Sequence, residues 1–153
     1  MNNGAACSTG LRAAAVLCLL GLVSVAFGAA PGGSIAAADD YTVLAKPGQK
    51  VPLGEDRYFV YGFTEAPKLG TAIMKVEIFS RDGRRDTSFL VKGDVDMPSM
   101  RGAHSTGNKA FSLSAKGVYL LPVSLVMPGE WEFRFTFEQN GKTVLRGAYL
   151  FSV

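Results

Sequence analysis

The residues best equipped for chemistry in this sequence stand together in one stretch, DVDMPSMRGAH, at positions 94–104. Met97 and Met100 lie three apart around Pro98, and the only histidine of the chain, His104, follows four residues after Met100. Thioether sulfur is a soft, neutral donor that suits Cu(I), and imidazole is a frequent companion ligand. All three donors fall within eight residues, so one loop could bring them to a single ion without help from the rest of the fold. Met127, in the turn MPGE at 127–130, is a candidate fourth ligand if the two loops share one end of the domain. Asp94 and Asp96 offer oxygens that would suit Cu(II) instead. Thioethers carry no proton in the ordinary range, so His104 alone would make metal binding depend on pH.

The same side chains have a plainer reading. Methionine is a flexible gap filler. Met97 and Met100 could fold over the open end of the domain, with Pro98 stiffening the loop and His104 facing solvent. Met127 could plug the space beneath its turn. Catalysis has less support. The sequence has no G-x-S-x-G, no H-E-x-x-H and no phosphate-cradling glycine loop. His104 and Ser105 are adjacent in sequence only, and a triad needs a third, orienting group. The expectation is a non-enzymatic domain.

The compartment follows from the first residues. Arg12 precedes an apolar run, AAAVLCLLGLVSVAF, at 13–27. Its length suits the hydrophobic region of a secretory signal and falls short of the roughly 20 apolar residues of a membrane span. Ala36-Ala37-Ala38 before Asp39 forms an A-x-A cleavage site, with cleavage near Gly28 as the alternative. A cleavable signal peptide helix is therefore expected over 1–38 and one domain over 39–153, periplasmic or secreted, with no membrane span after cleavage. Cys7 and Cys18 both fall in the signal, and Ala15-Val16-Leu17 before Cys18 is not a lipid-attachment pattern. The mature chain then has no disulfide and no thiolate ligand. Its roughly 115 residues must be held by their core alone, and a chain of that size buries about two-thirds of its unfolded surface. Fifteen basic residues against thirteen acidic ones leave a mature charge near +2. So mild a balance points to no nucleic acid partner. The local cluster of Arg81, Arg84 and Arg85 reads as a solvated hairpin tip.

The elements that must position the methionine loop have period two. In WEFRFTFE, Trp131, Phe133, Phe135 and Phe137 share one face, and Glu132, Arg134, Thr136 and Glu138 share the other. Side chains alternate across a strand, so this strand has one buried and one wet face, and Trp131 belongs to the core. Met74, Val76 and Ile78 form a second such row, and Thr87, Phe89 and Val91 a third. Asp82-Gly83 and Asn140-Gly141 are hairpin turn pairs, and Pro128-Gly129 suits a type II turn. The pattern predicts strands near 41–45, 57–64, 71–79, 86–92, 109–114, 117–126, 131–138 and 143–152. Seven or eight short strands at this spacing argue for an all-β, antiparallel sandwich of the immunoglobulin type. Pro122 places its strand at an edge or a bulge. The longest loop runs over 93–108 and carries the methionines, where a rigid sandwich would carry function.

The loop MPSMRGAH is followed by KGVYLLPVSLVMPGEWEFRFTF. This resembles the YtkA-like family of small exported or membrane-anchored bacterial domains. The shared positions are Met97, Pro98, Met100 and His104, then Gly117 and Tyr119, then Met127, Pro128, Gly129 and Trp131. The likeness covers about residues 71–153. It implies an immunoglobulin-like sandwich, similar to domains of copper-handling proteins and to proteins encoded with cytochrome oxidase assembly factors. The biochemistry of the family itself is mostly undefined, but the likeness adds weight to a copper ion as partner, with Met97, Met100 and His104 as donors and Met127 as candidate fourth. Arg101 would set a cation beside that pocket and weaken it unless paired, with Asp94 or Asp96 as the expected partner. Two functions remain open at this stage. One is an exported Cu(I)-binding domain of copper handling or oxidase assembly. The other is a metal-free structural or protein–protein interaction module that meets an envelope protein.

Overall fold

The computed structural model describes residues 40–153. The stretch expected to serve as an export signal, with its expected cleavage site, Cys7 and Cys18, lies outside the described residues. The described residues form ten strands: β1 (Thr42–Val43), β2 (Val51–Pro52), β3 (Arg57–Phe63), β4 (Gly70–Ser80), β5 (Leu90–Asp96), β6 (Lys109–Ala110), β7 (Ser112–Leu113), β8 (Tyr119–Leu125), β9 (Glu130–Gln139) and β10 (Lys142–Ser152). One sheet has the order β1-β10-β9-β5-β6 and the other β2-β3-β4-β8-β7. All neighbours are antiparallel except β1, which runs parallel to β10. The result is an all-β structure of two stacked sheets. Among the described residues no helix is long and apolar enough to cross a membrane.

The core is built from the alternating rows. Trp131, Phe133, Phe135 and Phe137 of β9 are wholly buried, as are Met74, Val76 and Ile78 of β4. The two sheets meet through aromatic pairs, Phe59 with Phe137 at 4.4 Å and Tyr61 with Phe135 at 5.1 Å between ring centroids. Such pairs add about 0.5–1.5 kcal/mol each beyond the area they bury. The β9–β10 hairpin closes on Asn140 (φ 52°) and Gly141 (φ 73°), the positive-φ pair that a two-residue turn of this hand requires. Pro122 is exposed and faces Ile73 of β4 on one side. On its other side β7 pairs only with Tyr119 and Leu120, so the missing N–H falls on a stretch of open edge. Arg81, Arg84 and Arg85 are exposed around the hairpin tip, each beside an acid: Asp56, Asp82 and Glu77.

Three features depart from the sequence reading. Ten strands among the described residues replace the expected seven or eight, because two-residue β2 shows no alternation and the stretch expected at 109–114 divides into β6 and β7. The expected strand at 109–114 is two strands in different sheets, with buried Phe111 at the crossing. The strand expected at 86–92 is β5, displaced to 90–96, and Thr87 is exposed. Gly93 reads as the start of a loop but lies mid-strand. A Cβ there would come within 2.7 Å of Phe133, 2.8 Å of Phe111 and 2.9 Å of Leu121, so only glycine fits. The inward row of β5 therefore continues through Phe89, Val91, Gly93 and Val95 to Met97.

Overpacking of this kind costs about 1–3 kcal/mol. Gly93→Ala is expected to lower the unfolding free energy by that amount, read as a lower urea midpoint with an unchanged m-value. A midpoint equal to the parent's would show that the sheets are not so close at this point.

Candidate functional site

The site grows from the end of β5. Asp96 is the last residue of that strand, paired in register with Glu132 of β9, and it is only 5% exposed. A buried carboxylate needs donors, and the loop beyond supplies three. Its Oδ1 accepts the N–H of Met97 at 2.9 Å and of His104 at 3.3 Å, and its Oδ2 accepts the N–H of Gly102 at 2.6 Å. Burial alone would raise the carboxyl. The three amides, with the Arg101 charge, outweigh it and hold Asp96 below the usual aspartate range.

Around this anchor the chain turns tightly. Pro98–Met100 is one turn of 3-10 helix. The Met100 N–H donates to the Met97 carbonyl and the Ala103 N–H to the Met100 carbonyl, both at 3.0 Å. Gly102 sits at φ 85°, a conformation glycine takes without cost. Beyond His104 the loop is laced to the edge of β5. Ser105 and Thr106 donate their hydroxyls to Asp94, and Thr106 also exchanges hydrogen bonds with the Val95 backbone.

The loop lies on the start of β9, where Trp131 is the fixed point. Trp131 is wholly buried and its Nε1–H donates to the Met127 carbonyl at 3.0 Å. The His104 ring stands 6.0 Å from the Trp131 ring at 52°. Met97 is buried, and its terminal methyl lies 3.1 Å from where a Cβ on Gly129 would sit. Gly129 is held by paired backbone hydrogen bonds with Val153. Met97, His104 and the Met127 turn thus gather around Gly129 and Trp131. Met100 belongs to the same loop but is 38% exposed, and Met127 is 39% exposed.

Several sequence expectations change here. His104 does not face solvent; it is half-buried against Trp131. Met127 is no plug beneath its turn, since its side chain is exposed and its carbonyl serves Trp131. Asp96 is not a free oxygen donor, because both oxygens already hold backbone amides. Arg101 pairs with Glu132 at 2.5 Å rather than with Asp94 or Asp96. Glu132 also takes Arg134 at 2.7 Å, and the two cations overcome burial to lower its carboxyl. Among the described residues no three His, Cys, Asp or Glu side chains are grouped to hold a metal ion. Donors for a metal at this end would include the thioethers. The sequence reading missed Asp96 as organiser, since Asp96 lies on the row of β5 opposite the core and alternation marks that row as wet.

The fold and site together define a small all-β domain with a braced loop of sulfur and imidazole donors at one end of the stacked sheets. No family model matches the chain, and no curated protein matches it. A solved structure, that of a DUF4426 family protein from Pseudomonas aeruginosa PAO1, is similar at 12% identity with a TM-score of 0.48, covering 69% of this chain and 96% of that one.

The lowered carboxyl of Asp96 fixes a pH sign. Its contribution is fully present above the unfolded aspartate value, about 3.9, and is lost as pH falls through the lower folded value. Asp96→Asn is expected to cost about 1.5–3 kcal/mol at neutral pH, and the gap to the parent should shrink as pH is lowered from 5 to about 2.5. Urea midpoints across that range check this; a constant gap would mean that the folded carboxyl is not perturbed.

Proposed function

We propose that this protein is an exported, non-enzymatic domain that binds Cu(I) through the thioethers of Met97 and Met100 and the imidazole of His104, with Met127 as fourth donor. The observation that carries the reading is the gathering of Met97, His104 and the Met127 turn around Gly129 and Trp131 by a loop braced on Asp96. Met97 and His104 are packed before any ion arrives, and soft neutral donors suit Cu(I). The strand order supports an immunoglobulin-like topology, with β1 parallel to β10 and the chain passing between sheets at Phe111. The shared positions Met97-Pro98-Met100 and Met127-Pro128-Gly129-Trp131 support a YtkA-like domain in copper handling or oxidase assembly. The apolar run at 13–27 and the Ala36-Ala37-Ala38 site support export to the periplasm or beyond.

A second reading is a metal-free interaction module of the cell envelope. It is favoured by an apolar groove of about 220 Å³ along the β1 edge, lined by Val43, Leu44, Ala148, Tyr149 and Leu150 among others. Val43 and Leu150 there are 83% and 51% exposed. A Cu(I) titration against a chromophoric chelator separates the two readings. Met97 is part of the core, so the sulfur is best removed by the volume-conserving Met97→Leu, alongside Met100→Leu and His104→Ala. The parent is expected to compete for Cu(I), and each variant to bind at least about tenfold more weakly, or about 1.4 kcal/mol per site. Equal competition by the parent and a Met97→Leu/Met100→Leu double variant would exclude the site.

A further inference from the structure

We infer that Asp96 is the counter-ion and positioning residue of the proposed Cu(I) site; the inference rests on the copper reading and extends it to a residue that touches no metal. The donor set of Met97, Met100 and His104 is electrically neutral, so a bound cuprous ion keeps its full positive charge. Met97 is buried and His104 half-buried, and a cation brought among such groups needs a compensating anion.

Of the side-chain carboxylates on β5 and β9 beside the loop, Glu130 is exposed, and two of the remaining three are already engaged. Glu132 is matched by both Arg101 and Arg134. Asp94 takes the hydroxyls of Ser105 and Thr106 at the outer edge of β5. Asp96 is the most buried of the three, and its oxygens meet amide hydrogens of the loop. Arg101, the nearest cation by sequence, turns to Glu132. The negative charge of Asp96 is therefore stabilised without being neutralised by a direct ion pair. It is also bonded to the backbone of two proposed ligands, Met97 and His104. One carboxylate thus sets the positions from which both side chains project and offsets the charge they would hold.

Asp96→Asn is the informative change, since it keeps the shape and one acceptor oxygen and removes the charge. Chelator competition for Cu(I) on the full chain gives the affinity. Amide exchange at Met97, Gly102 and His104 reports the loop, and the Trp131 near-ultraviolet signal reports the fold. The expected result is an affinity lower by at least about tenfold, faster exchange at those amides and an unchanged Trp131 signal. Asp96→Glu, which restores the anion, should recover part of the affinity, and Asp82→Asn, at the distant hairpin tip beside Arg84, should leave it within about threefold. Should the asparagine variant lose its fold, the glutamate variant carries the test: a loss as large as that of Met97→Leu overturns the role. Parent-like affinity in a folded Asp96→Asn protein also overturns it and leaves the copper reading standing. A parent that does not compete for Cu(I) removes the copper reading itself, and the counter-ion role with it.

Discussion

A carboxylate at the end of β5 is buried, and a buried anion persists only where donors reach both of its oxygens. That requirement shapes everything beyond the strand. The amides of Met97, Gly102 and His104 must all turn toward Asp96, so eight residues of loop close around one side chain. Gly102 is needed where the path takes a positive φ, and Pro98 opens the short 3-10 turn that brings the Met100 N–H back to the Met97 carbonyl. The loop that bears the sulfur and imidazole donors is thus ordered by an acid–amide cluster rather than by the donors themselves. A metal site built on it would begin largely organised, and the ordering cost would fall on folding rather than on binding.

The cluster acts only because the platform beneath it is rigid. Strand β9 sends four aromatic rings in succession into the core, and the first of them, Trp131, ends the row beside the loop. Its ring contacts His104 and its indole N–H fixes the Met127 turn. Gly129 leaves room for the Met97 methyl. On the wet face of the same strand, Glu132 draws Arg101 and Arg134 together, which leaves Asp96 without a direct ion pair while the Arg101 charge still acts on it. One strand therefore sets the hydrophobic floor of the site on its inner face and the disposition of charge on its outer face.

Much of this scaffold is legible in the sequence where a residue's own chemistry decides its place. The alternation of β9 (apart from Thr136, which alternation places on the wet face and which is buried), the Asn140-Gly141 turn and the confinement of Pro122 to an open edge each follow from local rules, and the structure has them. Of the short strands, β1, β6 and β7 fall within the stretches expected at 41–45 and 109–114; β2 and the division at Phe111 are not legible, because a two-residue strand exists only by virtue of its partner. The register of β5 is lost at Gly93, a residue that marks a turn in most contexts and here marks the closest approach of Phe133, Phe111 and Leu121. With β5 carried through that glycine, the burial of Met97 follows from the same odd-numbered row as Val91 and Val95. The burial of Asp96 does not follow from any strand pattern, since it depends on the loop that folds over it. The gathering of His104 and the Met127 turn on Trp131 depends on contacts between segments far apart in the chain.

The amide proton of Gly102 gives the most direct test of this account. Its N–H meets an ionised, buried carboxylate at 2.6 Å, so its resonance should lie well downfield and exchange slowly at neutral pH. On acidification it should hold its position past the ordinary aspartate value of about 3.9 and move upfield only below it. An amide that exchanges at the rate of an open loop at neutral pH, or that titrates at the ordinary value, would contradict the claim that Asp96 organises this end of the protein.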